Sequence, residues 1–107
     1  MLANIFDNIP TNLKDEQILG LIKSDKIRIE RIVSNGQISP KNFWYDQNEN
    51  EFVMLIEGSA TLEIKTGEYI EEVKLGIGDH INIPAHKKHR VAYTDTESPT
   101  VWLAVFY

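Results

Sequence analysis

From Ile27 to Tyr107 the chain is a succession of short β-branched runs cut by glycine, proline and asparagine, and this rhythm leaves few folds open. Ile27-Arg28-Ile29-Glu30-Arg31-Ile32-Val33 largely alternates and is followed by the turn pair Asn35-Gly36. Glu51–Glu57 stops at Gly58. Thr61–Lys65 places Leu62 and Ile64 on one face, and Thr66-Gly67 turns the chain into Tyr69–Leu75. His80–Ile83 lies between Gly78 and Pro84. His89–Tyr93 and Thr100–Tyr107 complete the set around the polar loop Asp95–Pro99. Short strands at this spacing predict an all-β sandwich or barrel.

The segment before Ile27 reads differently. Asn12 can cap a helix over Leu13–Ser24, with Asp15 and Glu16 in its first turn and Lys23 in its last. Ile18, Leu19 and Ile22 form an apolar stripe at helical spacing, although Gly20 weakens it by about 1 kcal/mol. The expected organisation is an N-terminal extension, residues 1–26, whose helix packs on the outside of a barrel formed by residues 27–107.

Composition removes several function classes. The 107 residues include no cysteine, which excludes disulfide scaffolds, thiolate metal sites and cysteine nucleophiles and suits a reducing, cytoplasmic setting. Eleven Lys and Arg against 16 Asp and Glu give a net charge of -5, a poor match to a nucleic-acid backbone. The N-terminus lacks the pattern of a signal peptide, and the longest apolar run, Val101–Tyr107, is too short to span a bilayer as a helix. No nucleic-acid or membrane partner is expected. No glycine-rich phosphate loop and no Gly-x-Ser-x-Gly elbow are present.

The segment Gly78-Asp79-His80-Ile81-Asn82-Ile83-Pro84-Ala85-His86-Lys87-Lys88-His89 carries the most specific pattern. The glycine permits a tight turn, the proline stops a short strand, and the loop delivers His89 to the head of the next strand. Gly78, Pro84 and His89 keep the spacing of the second motif of the cupin superfamily, with His86 and Tyr93 at positions where that motif has glycine and asparagine. Glu51 and Gly58 keep the end of the first cupin motif. Its two histidine positions are held by Tyr45 and Gln47, or by Trp44 and Asp46 in the longer spacing. From about Ile38 onward the chain thus resembles a small single-domain cupin with a degenerate first motif. The resemblance implies a cupin-like double-stranded β-helix barrel, or jelly roll, often dimeric. It also implies a small polar or anionic ligand and, in many members, one divalent metal such as Zn, Mn, Fe or Ni.

Strand parity sets Tyr45, Gln47, Glu51, Val53 and Leu55 on one face. A carboxylate at Glu51 inside a barrel needs a partner, because burying a lone charge is costly. The candidate metal ligands are Gln47, Glu51 and His89, with Asp46 or His86 as a fourth. His89 and Tyr93, on one face of their strand with Val91, are candidate catalytic groups, an acid–base pair in a metal-free site. Trp44, Tyr45, Gln47 and His86 are candidate ligand-binding residues. His80 is expected at a surface or edge, and Lys87, Lys88 and Arg90 in solvent. Three functions compete: a small enzyme, a non-catalytic ligand sensor, and a homodimeric interaction module using the end strand Val101–Tyr107.

Overall fold

The alternation of apolar and polar residues resolves, in a computed structural model describing every residue from Met1 to Tyr107, into eight strands and no helix. They are β1 (Gln17–Lys23), β2 (Arg28–Ser34), β3 (Glu51–Glu57), β4 (Ala60–Thr66), β5 (Tyr69–Leu75), β6 (His80–Ile83), β7 (His89–Thr94) and β8 (Thr100–Phe106). A five-stranded sheet runs in the order β1-β2-β8-β3-β6, and a three-stranded sheet in the order β5-β4-β7. All pairings are antiparallel.

Each strand gives one face to the space between the sheets. Val53 and Leu55 of β3, Leu62 of β4, Leu75 of β5, Ile83 of β6 and Trp102 of β8 meet in one buried cluster. Each large side chain there stabilises the fold by about 1.5–3 kcal/mol relative to exposure. The architecture is the expected all-β, cupin-like jelly roll. No helix is long and apolar enough to cross a membrane.

The expected helix over Leu13–Ser24 is replaced by β1. This strand pairs with β2 from Gln17↔Val33 to Lys23↔Arg28, with a register shift between Gly20 and Ile22. The turn joining the two strands closes with the Ser24 amide donating to the Ile27 carbonyl at 2.8 Å. A short isolated helix carrying Gly20 is marginal in water, whereas the adjoining β-branched strand supplies a complete ladder. The Ser24-Asp25-Lys26 turn between two isoleucine-rich runs was the hairpin signal.

The end strand also differs from its expected role. β8 lies between β2 and β3, with both edges already paired, so Val101–Tyr107 offers no free edge to a partner. Arg90 is not a solvated charge. Its guanidinium donates to Glu63 at 2.6 Å and to the Ser39 carbonyl at 3.2 Å, tying β7 to β4 and to the preceding loop.

Gly58 shows why one motif glycine is needed. Its φ is +89°, and a Cβ there would stand 2.5 Å from Thr100 Oγ1 and 2.7 Å from Thr100 Cα. The end of β3 and the start of β8 approach so closely that only glycine fits.

Candidate functional site

A cavity of about 310 Å³ opens between the sheets. β3 and β6 supply Glu51, Val53 and Ile83 to its wall, β7 supplies His89 and Val91, and β8 supplies Trp102 and Phe106. Tyr45 and Gln47 enter from the loop before β3. Glu16 and Ile18 enter from the β1 side, and Arg28, Glu30 and Ile32 from β2.

Two expected site residues, Gln47 and His89, converge on one carboxylate oxygen of a third, Glu51. Glu51 Oε1 accepts from Gln47 Nε2 at 3.1 Å and lies 3.3 Å from His89 Nε2. His89 is buried, and its Nδ1 is 2.9 Å from the Lys87 carbonyl. A carbonyl only accepts, so Nδ1 carries a proton and Nε2 faces Glu51. In the imidazolium form Nε2 donates to the carboxylate. Enclosure alone would lower the His89 pKa, but the hydrogen bond to Glu51, the Lys87 carbonyl and the Glu51 charge together raise it above 6.5.

Tyr45 is fixed beside this pair by a bridge to His89. The Tyr45 amide donates to the His89 carbonyl at 2.8 Å, and the His89 amide donates back at 3.2 Å. The two rings stack with centroids 5.5 Å apart. Burial, with the charges of Glu16 and Glu51, pushes the Tyr45 hydroxyl above its usual pKa of 10.0.

The other expected residues stand elsewhere. Trp44 is half-buried outside the cavity wall, with Lys65 Nζ 5.5 Å from its ring centroid. His86 occupies a left-handed turn position, φ 65°, and its Nδ1 meets Asp46 Oδ1 at 2.8 Å. Both side chains are exposed and neither lines the cavity. Tyr93 is 46% exposed and also lies outside the wall. The reason is a bulge in β7: Leu62 pairs with Val91, yet Thr61 pairs with Tyr93, so Ala92 is the extra residue and parity breaks beyond it. His80 is exposed on the edge strand β6, as expected.

Three charged residues of the cavity escaped the sequence reading. Arg28 donates to Glu30 and to Glu49, each at 2.9 Å, and lies over the Phe106 ring. Arg28, Glu30 and Ile32 share one parity in the first long run, which was the available signal. Glu16 accepts from Ser34 Oγ at 3.4 Å, and Ser34 Oγ accepts from the Trp102 indole at 3.2 Å. Burial raises the Glu16 pKa above 4.5. The Ser34 hydrogen bond partly offsets this, and the Glu51 charge adds to it. Assigning Glu16 to a helical first turn concealed that role.

The chemistry of the donor set decides how well a resident metal fits. His89 Nε2 and Glu51 Oε1 are two convergent donors. Gln47 turns its NH₂ toward Glu51, and no group of three His, Asp or Glu side chains forms an ion-holding cluster. Structural and catalytic sites take three or four protein donors. The residues as placed fall short of that set.

Two facing antiparallel sheets around an enclosed polar cluster define a small jelly-roll barrel with an internal cavity. The family model of the cupin domain matches residues 30–106, and the chain belongs to the cupin family. A Ralstonia eutropha JMP134 protein, provisionally named a mannose-6-phosphate isomerase, is 42% identical. The likeness covers 99% of this chain and 96% of that one, with a TM-score of 0.91. A cupin superfamily protein of Desulfitobacterium hafniense DCB-2 is 16% identical over 92% of this chain and 82% of that one, TM-score 0.73. The hydroxypropylphosphonic acid epoxidase of S. wedmorenis is 16% identical over 87% of this chain and 56% of that one, TM-score 0.69. These two likenesses concern the fold. A comparison with curated proteins finds no match.

Proposed function

We propose that the chain binds a small, neutral, polar molecule in the barrel cavity, with Glu51 and His89 as its hydrogen-bonding and proton-exchanging pair. The observation that carries this is the convergence of Gln47 and His89 on one carboxylate oxygen of Glu51 inside an otherwise largely apolar wall. Such a pair presents a donor and an acceptor together, the arrangement that moves a proton on a hydroxyl or an acidic C–H.

The charges favour a polar ligand over an anionic one. Glu16, Glu30 and Glu51 all line the cavity, while Arg28 is engaged by Glu30 and Glu49. A phosphorylated sugar, as the name of the Ralstonia protein suggests for that protein, would set a dianion beside three carboxylates. Thermal shift and calorimetry with mannose, mannose 6-phosphate and a panel of polyols, amides and hydroxy acids test the reading. The expected result is saturable binding of a neutral member, lost in Glu51→Gln. Binding of the phosphorylated or acidic members alone overturns it. Deuterium uptake from solvent into a bound ligand distinguishes proton-transfer catalysis from simple binding.

A divalent ion held by Gln47, Glu51 and His89 is the second reading. What supports it is the Nδ1 contact to Lys87, which leaves Nε2 as the nitrogen facing the carboxylate, the orientation usual for a ligating histidine. Metal analysis and titration with Zn, Mn, Fe and Ni decide between them. One tightly bound equivalent, lost in both Glu51→Ala and His89→Ala, replaces the metal-free reading.

A further inference from the structure

One row of residues crosses the five-stranded sheet along the cavity wall. Arg28 of β2 pairs with Phe106 of β8, and Phe106 pairs with Glu51 of β3. Directly paired residues point to one face, and all three line the cavity. Two strand spacings put the Arg28 and Glu51 backbones about 9.5 Å apart, with apolar Phe106 between them.

Arg28 is held in place on this row. Its Nε donates to Glu30 Oε2 and its Nη1 to Glu49 Oε1, each at 2.9 Å, and its Cζ lies 4.1 Å from the Phe106 ring centroid. A guanidinium has further N–H groups to give. Nη2 donates to no protein atom, and it stays open to solvent. A donor already fixed at two nitrogens and over a ring loses little freedom on meeting an acceptor.

The surrounding charges select that acceptor. One arginine and two glutamates sum to -1. Glu30 lines the cavity beside Arg28, and its side chain is only 15% exposed. A ligand carboxylate would be the third at a guanidinium already flanked by two, with Glu51 on the same wall. A neutral carbonyl accepts from the same N–H without that repulsion.

We propose that Arg28 is a specificity-determining residue of the cavity: its Nη2 donates to a neutral carbonyl oxygen at one end of the ligand, while a hydroxyl at the other end meets Glu51 and His89. The ligand class is a short hydroxy amide or hydroxy ketone, its apolar spacer lying along the wall between the two. This assignment rests on the Glu51–His89 reading above and adds the far end of the molecule.

Calorimetric titration of the full chain with 4-hydroxybutanamide and 4-hydroxybutanoate, matched in length and different in charge, tests it. The wild type is expected to bind the amide about tenfold or more tighter than the acid. Arg28→Met keeps an apolar stem on Phe106 and should weaken amide binding about tenfold, the loss of one hydrogen bond to a charged donor. It also leaves Glu30 without its partner and can loosen the fold, so a second test keeps Arg28. Glu30→Gln should shrink the preference for the amide, and adding Glu49→Gln, which leaves the guanidinium uncountered, should reverse it in favour of the acid. Amide affinity unchanged in Arg28→Met, or a preference unmoved by the two carboxamides, overturns the proposal; if Glu51→Gln still abolishes binding, the reading of Glu51 and His89 survives it. Amide binding that persists in Glu51→Gln overturns both. A wild type that does not bind the amide overturns the proposal outright.

Discussion

Nε2 of His89 stands 3.3 Å from Oε1 of Glu51, with 7% and 12% of the two side chains exposed. The Lys87 carbonyl fixes which nitrogen faces the carboxylate. This pair holds the imidazolium more tightly in the fold than in the unfolded chain, because its pKa is raised above 6.5. The resulting stability is complete below the unfolded value and is lost as pH rises through the higher folded value. Glu51→Gln should lower the His89 pKa below 6.5, since enclosure then outweighs what remains. Its destabilisation, about 1–3 kcal/mol at pH 6, should shrink toward pH 8. NMR titration of the imidazole and denaturant melts at the two pH values measure both.

Glu16 makes the opposite kind of contribution to the same cavity. Its carboxylate accepts from Ser34 and feels Glu51, and its pKa is raised because the enclosed charged form is disfavoured. The sign follows: stability is lost as pH rises through the raised value, so at neutral pH the charge of Glu16 is a liability. Glu16→Gln should therefore stabilise the fold modestly at pH 7, by less than about 1 kcal/mol because the side chain is only partly enclosed and solvent screens its charge, and have no effect near pH 4. Ser34→Ala should act in the other direction at every pH. It strands the buried Trp102 indole N–H, which donates to Ser34 at 3.2 Å, and costs about 1–3 kcal/mol. Melting curves of the two variants across pH separate the effects.

The legible part of this molecule was the part with local rules. Glycine, proline and β-branched runs placed β3, β5 and β6 with their observed bounds, because each is cut by a turn residue. Motif spacing identified Glu51 and His89, and parity added Gln47 and Tyr45, all of which line the cavity. β1 was misread because Ile18, Leu19 and Ile22 satisfy a helical stripe as well as a strand, and only pairing with β2 selects between them. Glu16 followed that error. Glu30 and Arg28 were hidden differently: their positions matter only once β2 lies beside β8, a contact between residues far apart in sequence.

Gly58 and Gly67 offer a controlled comparison of two reasons for glycine. Both have positive φ, +89° and +59°. A Cβ at Gly67 meets nothing within 4 Å, whereas at Gly58 it meets the Thr100 backbone at 2.7 Å and the Pro99 carbonyl at 3.0 Å. Gly67→Ala should cost about 1 kcal/mol, the left-handed penalty alone. Gly58→Ala adds a clash with backbone that cannot rotate away, and should cost at least about 2 kcal/mol more. Chemical denaturation with matched m-values checks the difference. Equal losses would mean that β3 and β8 can separate at no cost.

The bulge at Ala92 separates two residues that an ideal strand would bring together. His89 and Val91 line the cavity, but beyond the bulge Tyr93 pairs with Thr61 and turns outward. Tyr93 is therefore absent from the cavity wall, and the side chain that stands beside His89 there is Glu51. Tyr93→Phe should leave ligand affinity and any proton exchange within twofold of wild type. His89→Gln should abolish exchange and weaken binding at least tenfold, the loss of about 1.4 kcal/mol or more of hydrogen bonding. Calorimetric titration of both variants with the ligand that emerges from the panel reads the contrast. Deleting Ala92 would restore ideal parity and swing Tyr93 inward. If that deletion folds, a new dependence of binding on the Tyr93 hydroxyl should appear, tested by adding Tyr93→Phe to it, while in the parent the hydroxyl contributes nothing.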